Sequence, residues 1–157
     1  MRVLTERRRK RQAGNILVEF ALSFFLMFWI FSGLFQFGYA FYAYDQLVSA
    51  VRDGARYAAN HPYTSTTTTP DTTFSTHVKN MVVYGSPSPA AGAPPVAKGL
   101  TTANVRIVVT DGGTGSISAP SAITVSVQSF NLDAVFATFK MDGRPAATFA
   151  YTGILSP

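Results

Sequence analysis

A run of 25 residues without a charged side chain constrains this protein more than any other feature of its sequence. The segment from Phe20 to Tyr44, FALSFFLMFWIFSGLFQFGYAFYAY, contains no proline and no Asp, Glu, Lys or Arg residue. As an α-helix it would extend about 37 Å, which exceeds the roughly 30 Å hydrocarbon core of a bilayer. A signal peptide has an apolar core of only about 7 to 15 residues. The sequence therefore predicts a transmembrane helix that is retained and crosses the membrane with some tilt.

The net charge of +5 lies entirely in front of this helix. Six basic residues and Glu6 precede Gly14, and the seven basic and seven acidic residues that follow cancel. The six basic residues are Arg2, Arg7, Arg8, Arg9, Lys10 and Arg11. A basic run beside an apolar helix is typical of a topology signal, which stays in the cytoplasm, so we expect no nucleic-acid partner and an extracytoplasmic C-terminal part. Tyr39, Tyr42 and Tyr44 are placed as an aromatic belt at the outer interface.

Glu19 is a carboxylate at the very start of the apolar helix. At the centre of a membrane such a group costs roughly 2.5–3.5 kcal/mol, so its position requires a reason. The order of elements around Glu19 resembles the type IV prepilin processing motif: a basic leader, Gly14, the uncharged residues 15–18, Glu19 and an unbroken apolar helix. The resemblance implies cleavage between Gly14 and Asn15. The new α-amine of a neighbouring subunit would then neutralise Glu19. The alternative is an uncleaved anchor whose Glu19 reaches the interface, where the helix dipole favours it.

Beyond the membrane, the helical pattern continues through DQLVSAVRDGARYAAN, residues 45–60. An apolar face recurs at helical spacing, and Pro62 disfavours helical geometry in the residue before it. The members of that face are Leu47, Val48, Val51, Ala55, Ala58 and Ala59. We therefore predict one helix from about residue 16 to 60, whose outer half is a stem that must bury this stripe.

After the stem, the chain alternates between loops and regular elements. A polar loop is predicted for residues 64–73, TSTTTTPDTT, and Asp71 is placed to cap a short second helix. A linker or exposed loop is predicted for residues 86–95, SPSPAAGAPP. In the second helix, Phe74, Val78, Met81 and Val82 share a face.

The last third of the chain has the pattern of strands. Segments 104–110 and 122–130 predict an antiparallel hairpin joined by DGGTGS, and 146–153 predicts a further strand. Ile123, Val125 and Val127 would form a buried face, covered by the apolar stripe of the stem. LDAVFATFKM (132–141) is either a short helix or an apolar loop. The predicted fold class is α+β: a long N-terminal transmembrane helix that continues as a stem, packed by a small antiparallel sheet, with a short second helix.

Two features of the stem allow more than one interpretation. Arg52 and Arg56 are four residues apart and share a helix face, and Asp53 lies three residues before Arg56. They would either dock a partner subunit or lipid phosphates, or form a solvated face with one weak ion pair. Gly54 within the stem indicates close packing or a kink.

His61 and His77 are 16 apart in a chain without cysteine, which does not favour a metal site. No nucleophile, Walker or dinucleotide motif is present, so the sequence predicts neither an enzyme nor a cofactor.

The segment 13–60 is similar to the N-terminal region of TadE-like proteins of the tight-adherence (Flp/Tad) type IV pilus system. The similarity rests on a VEFAL start, an apolar helix, an aromatic-Gly pair and a final A-x-R-x-G-A-R-x-A-A pattern. In this chain the pattern is formed by Ala50, Arg52, Gly54, Ala55, Arg56, Ala58 and Ala59. The resemblance implies a minor pseudopilin of the bacterial inner membrane, cut by a prepilin peptidase, that initiates, anchors or caps the pilus with other pilin-like subunits.

Two functional hypotheses follow. The first is a pseudopilin with a basic leader (1–14), a transmembrane helix and stem (15–60) and an extracytoplasmic α+β domain (61–157). The second is an uncleaved, single-pass anchored module that binds a surface or a secretion component. They differ in the fate of the leader and in whether Glu19 requires an amine partner.

Overall fold

The computed structural model describes residues 2–111, 120–134 and 137–153, with side chains described from residue 14 onward. The fold is α+β, as predicted. Its elements in chain order are α1 (Arg2–Asn60), α2 (Thr72–Tyr84), a 3-10 turn (Thr102–Asn104), β1 (Val105–Asp111), β2 (Pro120–Val127), β3 (Phe130–Ala134), β4 (Ala137–Met141) and β5 (Ala146–Ala150). The chain divides into two compact units, Met1–Tyr39 and Ala40–Pro157, which are described in turn.

The first unit is the N-terminal part of α1. This helix begins at Arg2 and not near residue 16, since the leader contains five Arg residues together with Lys10 and Gln12, and all three residue types are good helix formers. From residue 16 onward, its large apolar side chains are exposed; Phe35, for example, is 71% exposed. The stretch Gly14–Asn60 is long and apolar enough to cross a membrane, with a mean hydropathy of 2.0 in its most apolar window. No part of that window is buried within the protein, which suits a single-pass membrane anchor.

In the second unit, the stem of α1 lies in the hydrophobic core. Its apolar stripe joins one cluster with α2 and with the buried face of β2, as the sequence predicts. The main members are Leu47, Val51, Ala55 and Ala58 from α1, Val78 and Val82 from α2, and Ile123, Val125 and Val127 from β2. Of the predicted stripe, only Val48 is half-buried. Each fully buried Val or Leu side chain contributes about 1.5–3 kcal/mol, so this cluster is what holds the unit together.

Helix α2 begins and ends with specific caps. The Asp71 carboxylate accepts a hydrogen bond from the backbone N–H of Phe74 (2.8 Å), which confirms the predicted N-cap. At the other end, Gly85 adopts φ +70° and its N–H donates to the Met81 carbonyl (2.9 Å). The predicted buried face is correct except at Met81, which is half-buried, while Val83 is buried.

The main sheet has three antiparallel strands in the order β1-β2-β5, so β2 is central. Val109 of β1 and Phe149 of β5 both pair with Ile123 of β2. Strand β2 ends at Val127 and not at Phe130, because Ser129 has a φ of +50° and turns the chain. In the predicted connection DGGTGS, residues after Asp111 lie outside the described part of the chain.

The segment 132–141 is neither a helix nor an apolar loop, so both alternatives were wrong. It contributes to a second antiparallel pair, β3 and β4, in which Phe130 pairs with Met141 and Ala134 with Ala137. In β3, buried and exposed residues alternate along Phe130–Ala134, which is the period of a strand with one buried face. Residues 135–136 between the strands are not described.

Candidate functional site

The residues of the predicted processing junction lie on the exposed surface of α1 in the first unit. Gly14, Asn15 and Glu19 are all exposed, and a Cβ added at Gly14 would meet no atom within 4 Å. Asn15 and Glu19 are four residues apart, so they occupy the same helix face about 6 Å apart along the axis. Glu19 and the residue that would carry the new α-amine are therefore one helical turn apart.

Glu19 forms no hydrogen bond or ion pair with another residue whose side chain the structure describes. Its neighbours along the chain are the apolar residues Val18 and Phe20, which are 59% and 67% exposed. A carboxylate in such surroundings is stabilised by a cation or by hydrogen-bond donors. Within the residues with described side chains, the protein supplies neither, so the carboxylate is available to a group from outside.

Arg52, Asp53 and Arg56 lie together on an exposed face of the stem, away from the buried stripe. None of the three makes an ion pair within the described part of the chain, although Asp53 and Arg56 are one turn apart. The structure thus brings the predicted contact residues together and leaves both guanidinium groups accessible. Docking of a partner and a solvated face both remain compatible with this arrangement.

Gly54 is explained by close helix packing. A Cβ at this position would overlap Cγ2 of Val82, and it would lie 3.5 Å from Cβ of Val82 and 3.7 Å from the Val78 carbonyl oxygen. Of the two predicted reasons for this glycine, close packing is confirmed. The backbone of α1 approaches α2 at Gly54, and this contact fixes the stem against the rest of the second unit.

A hydrogen-bonded clasp at the C-terminal end of α1 was not predicted from the sequence. The Ala59 carbonyl, one of the helix-end acceptors without an intrahelical donor, accepts hydrogen bonds from the N–H groups of Thr152 (3.1 Å) and Gly153 (3.0 Å). The Tyr151 hydroxyl donates to the His61 carbonyl (3.0 Å) and accepts from the Tyr63 N–H (2.8 Å). The clasp is formed by residues about 90 positions apart, so no local sequence signal reveals it.

The two histidines have structural surroundings. The His61 ring stacks on Tyr57 with 3.6 Å between centroids, and its Nδ1 lies 2.9 Å from the Tyr57 carbonyl oxygen. Burial raises the pKa of the Tyr57 hydroxyl, so this tyrosine stays neutral at physiological pH. His77 lies on α2. Within the described residues, no three His, Cys, Asp or Glu side chains converge as metal ligands.

The model of the TadE-like protein family matches residues 14–56. The match begins at Gly14, the glycine of the predicted processing junction, and includes both Glu19 and the exposed Arg52–Arg56 face. It confirms the resemblance over this segment, which is the part of the chain formed by the membrane helix and most of the stem. No curated protein and no solved structure matches the chain.

Proposed function

We propose that this chain, which is TadE-like over residues 14–56, is a pseudopilin-like assembly component of a Tad (Flp) pilus. The observation that carries the proposal is the position of Glu19. An exposed carboxylate without a described partner stands five residues after Gly14, at the start of an exposed apolar helix, within the matched segment.

Processing would supply the missing partner. A prepilin peptidase hydrolyses the peptide bond between Gly14 and Asn15, which removes the basic leader and gives Asn15 a free α-amine. At neutral pH most of that amine is protonated, since its ordinary pKa is about 7.7–8.0. When processed helices assemble, the ammonium of one subunit pairs with Glu19 of its neighbour, and this pairing offsets the cost of a carboxylate in an apolar environment.

The size of the second unit supports our assignment of a role at the end or base of the filament. Ala40–Pro157 contains a buried core of helix and sheet, which is far more than a helix alone requires. In a densely packed shaft, every subunit would have to accommodate such a domain. We therefore assign this protein to initiation, anchoring or the tip of the pilus, with the domain on the extracytoplasmic side of the inner membrane.

The exposed cationic face of the stem is the proposed contact for other pilus proteins. Arg52 and Arg56 present two guanidinium groups that carboxylates or phosphates bind in a bidentate manner.

The proposal is tested first by the mass and N-terminal sequence of the protein isolated from membranes of its native host. We expect a start at Asn15, and a start at Met1 in the variant Gly14→Ala. This substitution introduces no clash, because nothing lies within 4 Å of the added Cβ, so it isolates recognition by the peptidase from folding. A start at Met1 in the unaltered protein would refute processing and favour the uncleaved anchored binding module.

The pairing mechanism is tested separately at Glu19. The variant Glu19→Gln keeps the shape of the side chain and removes its charge, and Glu19→Leu removes both. We expect both variants to insert and to be cleaved normally, but to reduce the number of pili per cell. Normal piliation at normal protein levels in both variants would contradict the pairing, even if cleavage is observed.

A further inference from the structure

Two surface loops of the second unit are rich in Ser, Thr or Pro, and the proposed pilus function does not account for this composition. The Thr-rich loop (64–73) has the sequence TSTTTTPDTT, and the Pro-rich loop (86–95) has the sequence SPSPAAGAPP. Helix α2 lies between them in the chain, and only residues 72 and 73 of the two loops belong to it. Segments rich in Ser, Thr and Pro are typical acceptors of O-linked glycans. Exposure and hydrogen bonding decide which of their hydroxyl groups are available.

The Thr-rich loop is ordered by its own hydroxyl groups. Ser65 Oγ donates to the Thr69 carbonyl (2.8 Å) and accepts from the Thr67 N–H (3.3 Å). Thr67 Oγ1 in turn accepts from the Thr69 N–H (3.4 Å), and the Tyr63 hydroxyl donates to the Thr67 carbonyl (2.6 Å). The hydroxyls of Ser65 and Thr67 are thus engaged in holding the loop.

Of the other threonines in this loop, Thr64 donates its hydroxyl hydrogen to Asp71 Oδ2 (2.7 Å), and Thr72 and Thr73 belong to α2. The remaining three are presented outward. Thr66, Thr68 and Thr69 are all exposed, and their hydroxyl groups make no hydrogen bond to another described residue. Thr69 is followed by Pro70, which disfavours helical geometry in the preceding residue and favours an extended backbone. Residues 66–69 form bends outside any helix or strand, so a transferase can enclose these exposed hydroxyl residues without unfolding a regular element.

The Pro-rich loop presents one serine in the same manner. Ser88 is exposed, stands between Pro87 and Pro89, and its hydroxyl has no partner among the described residues. The loop is attached on both sides of it: Asn80 Nδ2 donates to the Pro87 carbonyl (3.1 Å), and the Val96 N–H donates to the Val83 carbonyl (2.7 Å). Both loops therefore combine a fixed frame with an exposed acceptor residue in front of a proline.

From this geometry we propose that Thr66, Thr68, Thr69 and Ser88 are acceptors of O-linked glycans. The donor would be a glycan carried on a polyprenyl diphosphate, because such a lipid reaches the outer face of the membrane, where the proposed function places this unit. The hydroxyl oxygen attacks the anomeric carbon, and the bond from that carbon to the diphosphate oxygen breaks. The lipid diphosphate leaves with the electron pair, and the hydroxyl proton passes to a base of the transferase. The added sugars would extend a hydrated surface around both loops.

The test is the intact mass of the full protein from its native host, followed by site mapping with electron-transfer fragmentation, which leaves sugars attached. We expect a mass above that of the polypeptide by whole sugar residues, each a sugar minus one water, located on the four named residues. The N-terminal start is read from the same sample. A start at Met1 would refute processing, whereas a mass without an increment would refute glycosylation, so the two failures are distinguishable.

Alanine variants of the four proposed residues test which hydroxyl groups carry the sugars. The triple variant Thr66→Ala/Thr68→Ala/Thr69→Ala and the single variant Ser88→Ala should each lose part of the increment, and their combination should lose all of it. Thr76→Ala is the matched control, since Thr76 is also exposed but lies on α2 and donates its hydroxyl hydrogen to the Thr72 carbonyl (2.7 Å). The control should keep the full increment.

An increment that persists in the combined variant would overturn the assignment. So would an increment with the mass of phosphate or phosphoglycerol. Mapping of the unaltered protein gives an independent answer if the combined variant fails to accumulate.

Discussion

Substituting Gly54 by alanine tests the helix contact that fixes the stem in the second unit. In an exposed helix this change would stabilise the protein by about 0.8–1 kcal/mol, because alanine is the better helix former. Here the added Cβ overlaps Cγ2 of Val82, which is fully buried and, as a β-branched residue in a helix, has one preferred rotamer. Overpacking of this kind costs roughly 1–3 kcal/mol. Since the overlap is severe, we take the upper part of that range and expect a net loss of about 1–2 kcal/mol.

The same substitution in a Val82→Ala background separates the two effects. Removing the valine methyl groups removes the overlap, so Gly54→Ala should then be neutral or stabilise the protein by up to about 1 kcal/mol. The coupling between the two sites would be about 1–3 kcal/mol. The assay is denaturant unfolding of the full-length protein in detergent, followed by near-ultraviolet circular dichroism. If Gly54→Ala has the same effect in both backgrounds, or stabilises the protein with Val82 present, the close contact is not what the glycine serves.

Three further predictions concern the second unit. Hydrogen bonds from the Thr64 hydroxyl and from the Phe74 N–H hold the pKa of Asp71 below its ordinary value. The stabilisation of α2 by this cap should therefore be present above the ordinary pKa and be lost as the pH falls through the lowered pKa. Hydrogen exchange in the first turn of α2 should show this loss, and Asp71→Asn should remove the pH dependence. Tyr151→Phe should cost about 0.5–1.5 kcal/mol through loss of the clasp and raise hydrogen exchange at the end of α1; unchanged exchange there would contradict the role of the clasp. Val125→Ala should cost about 2–3 kcal/mol, since Val125 is fully buried, whereas Val108→Ala, at a position 41% exposed, should change stability by less than about 0.5 kcal/mol in the same unfolding assay.

The candidate site could be located from the sequence because its signals are local. An unbroken apolar run predicts the membrane helix, and the position of a glycine and a glutamate relative to that run predicts the processing junction. The structure places Gly14, Asn15 and Glu19 on one exposed helix and gathers Arg52, Asp53 and Arg56 on one exposed face. Among the residues with described side chains, it shows no ion pair for the charged members of either group. Their roles therefore stay proposals that the experiments above decide.

The elements of the second unit could be predicted where the spacing of apolar residues or a capping residue marks a helix or strand. Asp71 caps α2, and the alternating residues of β2 bury Ile123, Val125 and Val127, as their spacing requires. The prediction failed at 132–141, where an apolar stretch rich in Phe and Ala fits a helix or a loop when it is considered by itself. What makes it a strand pair is the register between Phe130 and Met141, a pairing between residues separated along the chain.

By itself the sequence determined the membrane helix, the stem, the capped second helix and the central strands, because each depends on residues within about one turn or one strand of each other. Only the tertiary structure decided why Gly54 must be a glycine, how Tyr151 joins the end of the stem, and which hydroxyls of the two loops stay free. Each of these depends on atoms that folding brings together from distant positions: Val82 against Gly54, and Thr152 and Gly153 against Ala59. Such contacts leave no periodic trace in the sequence.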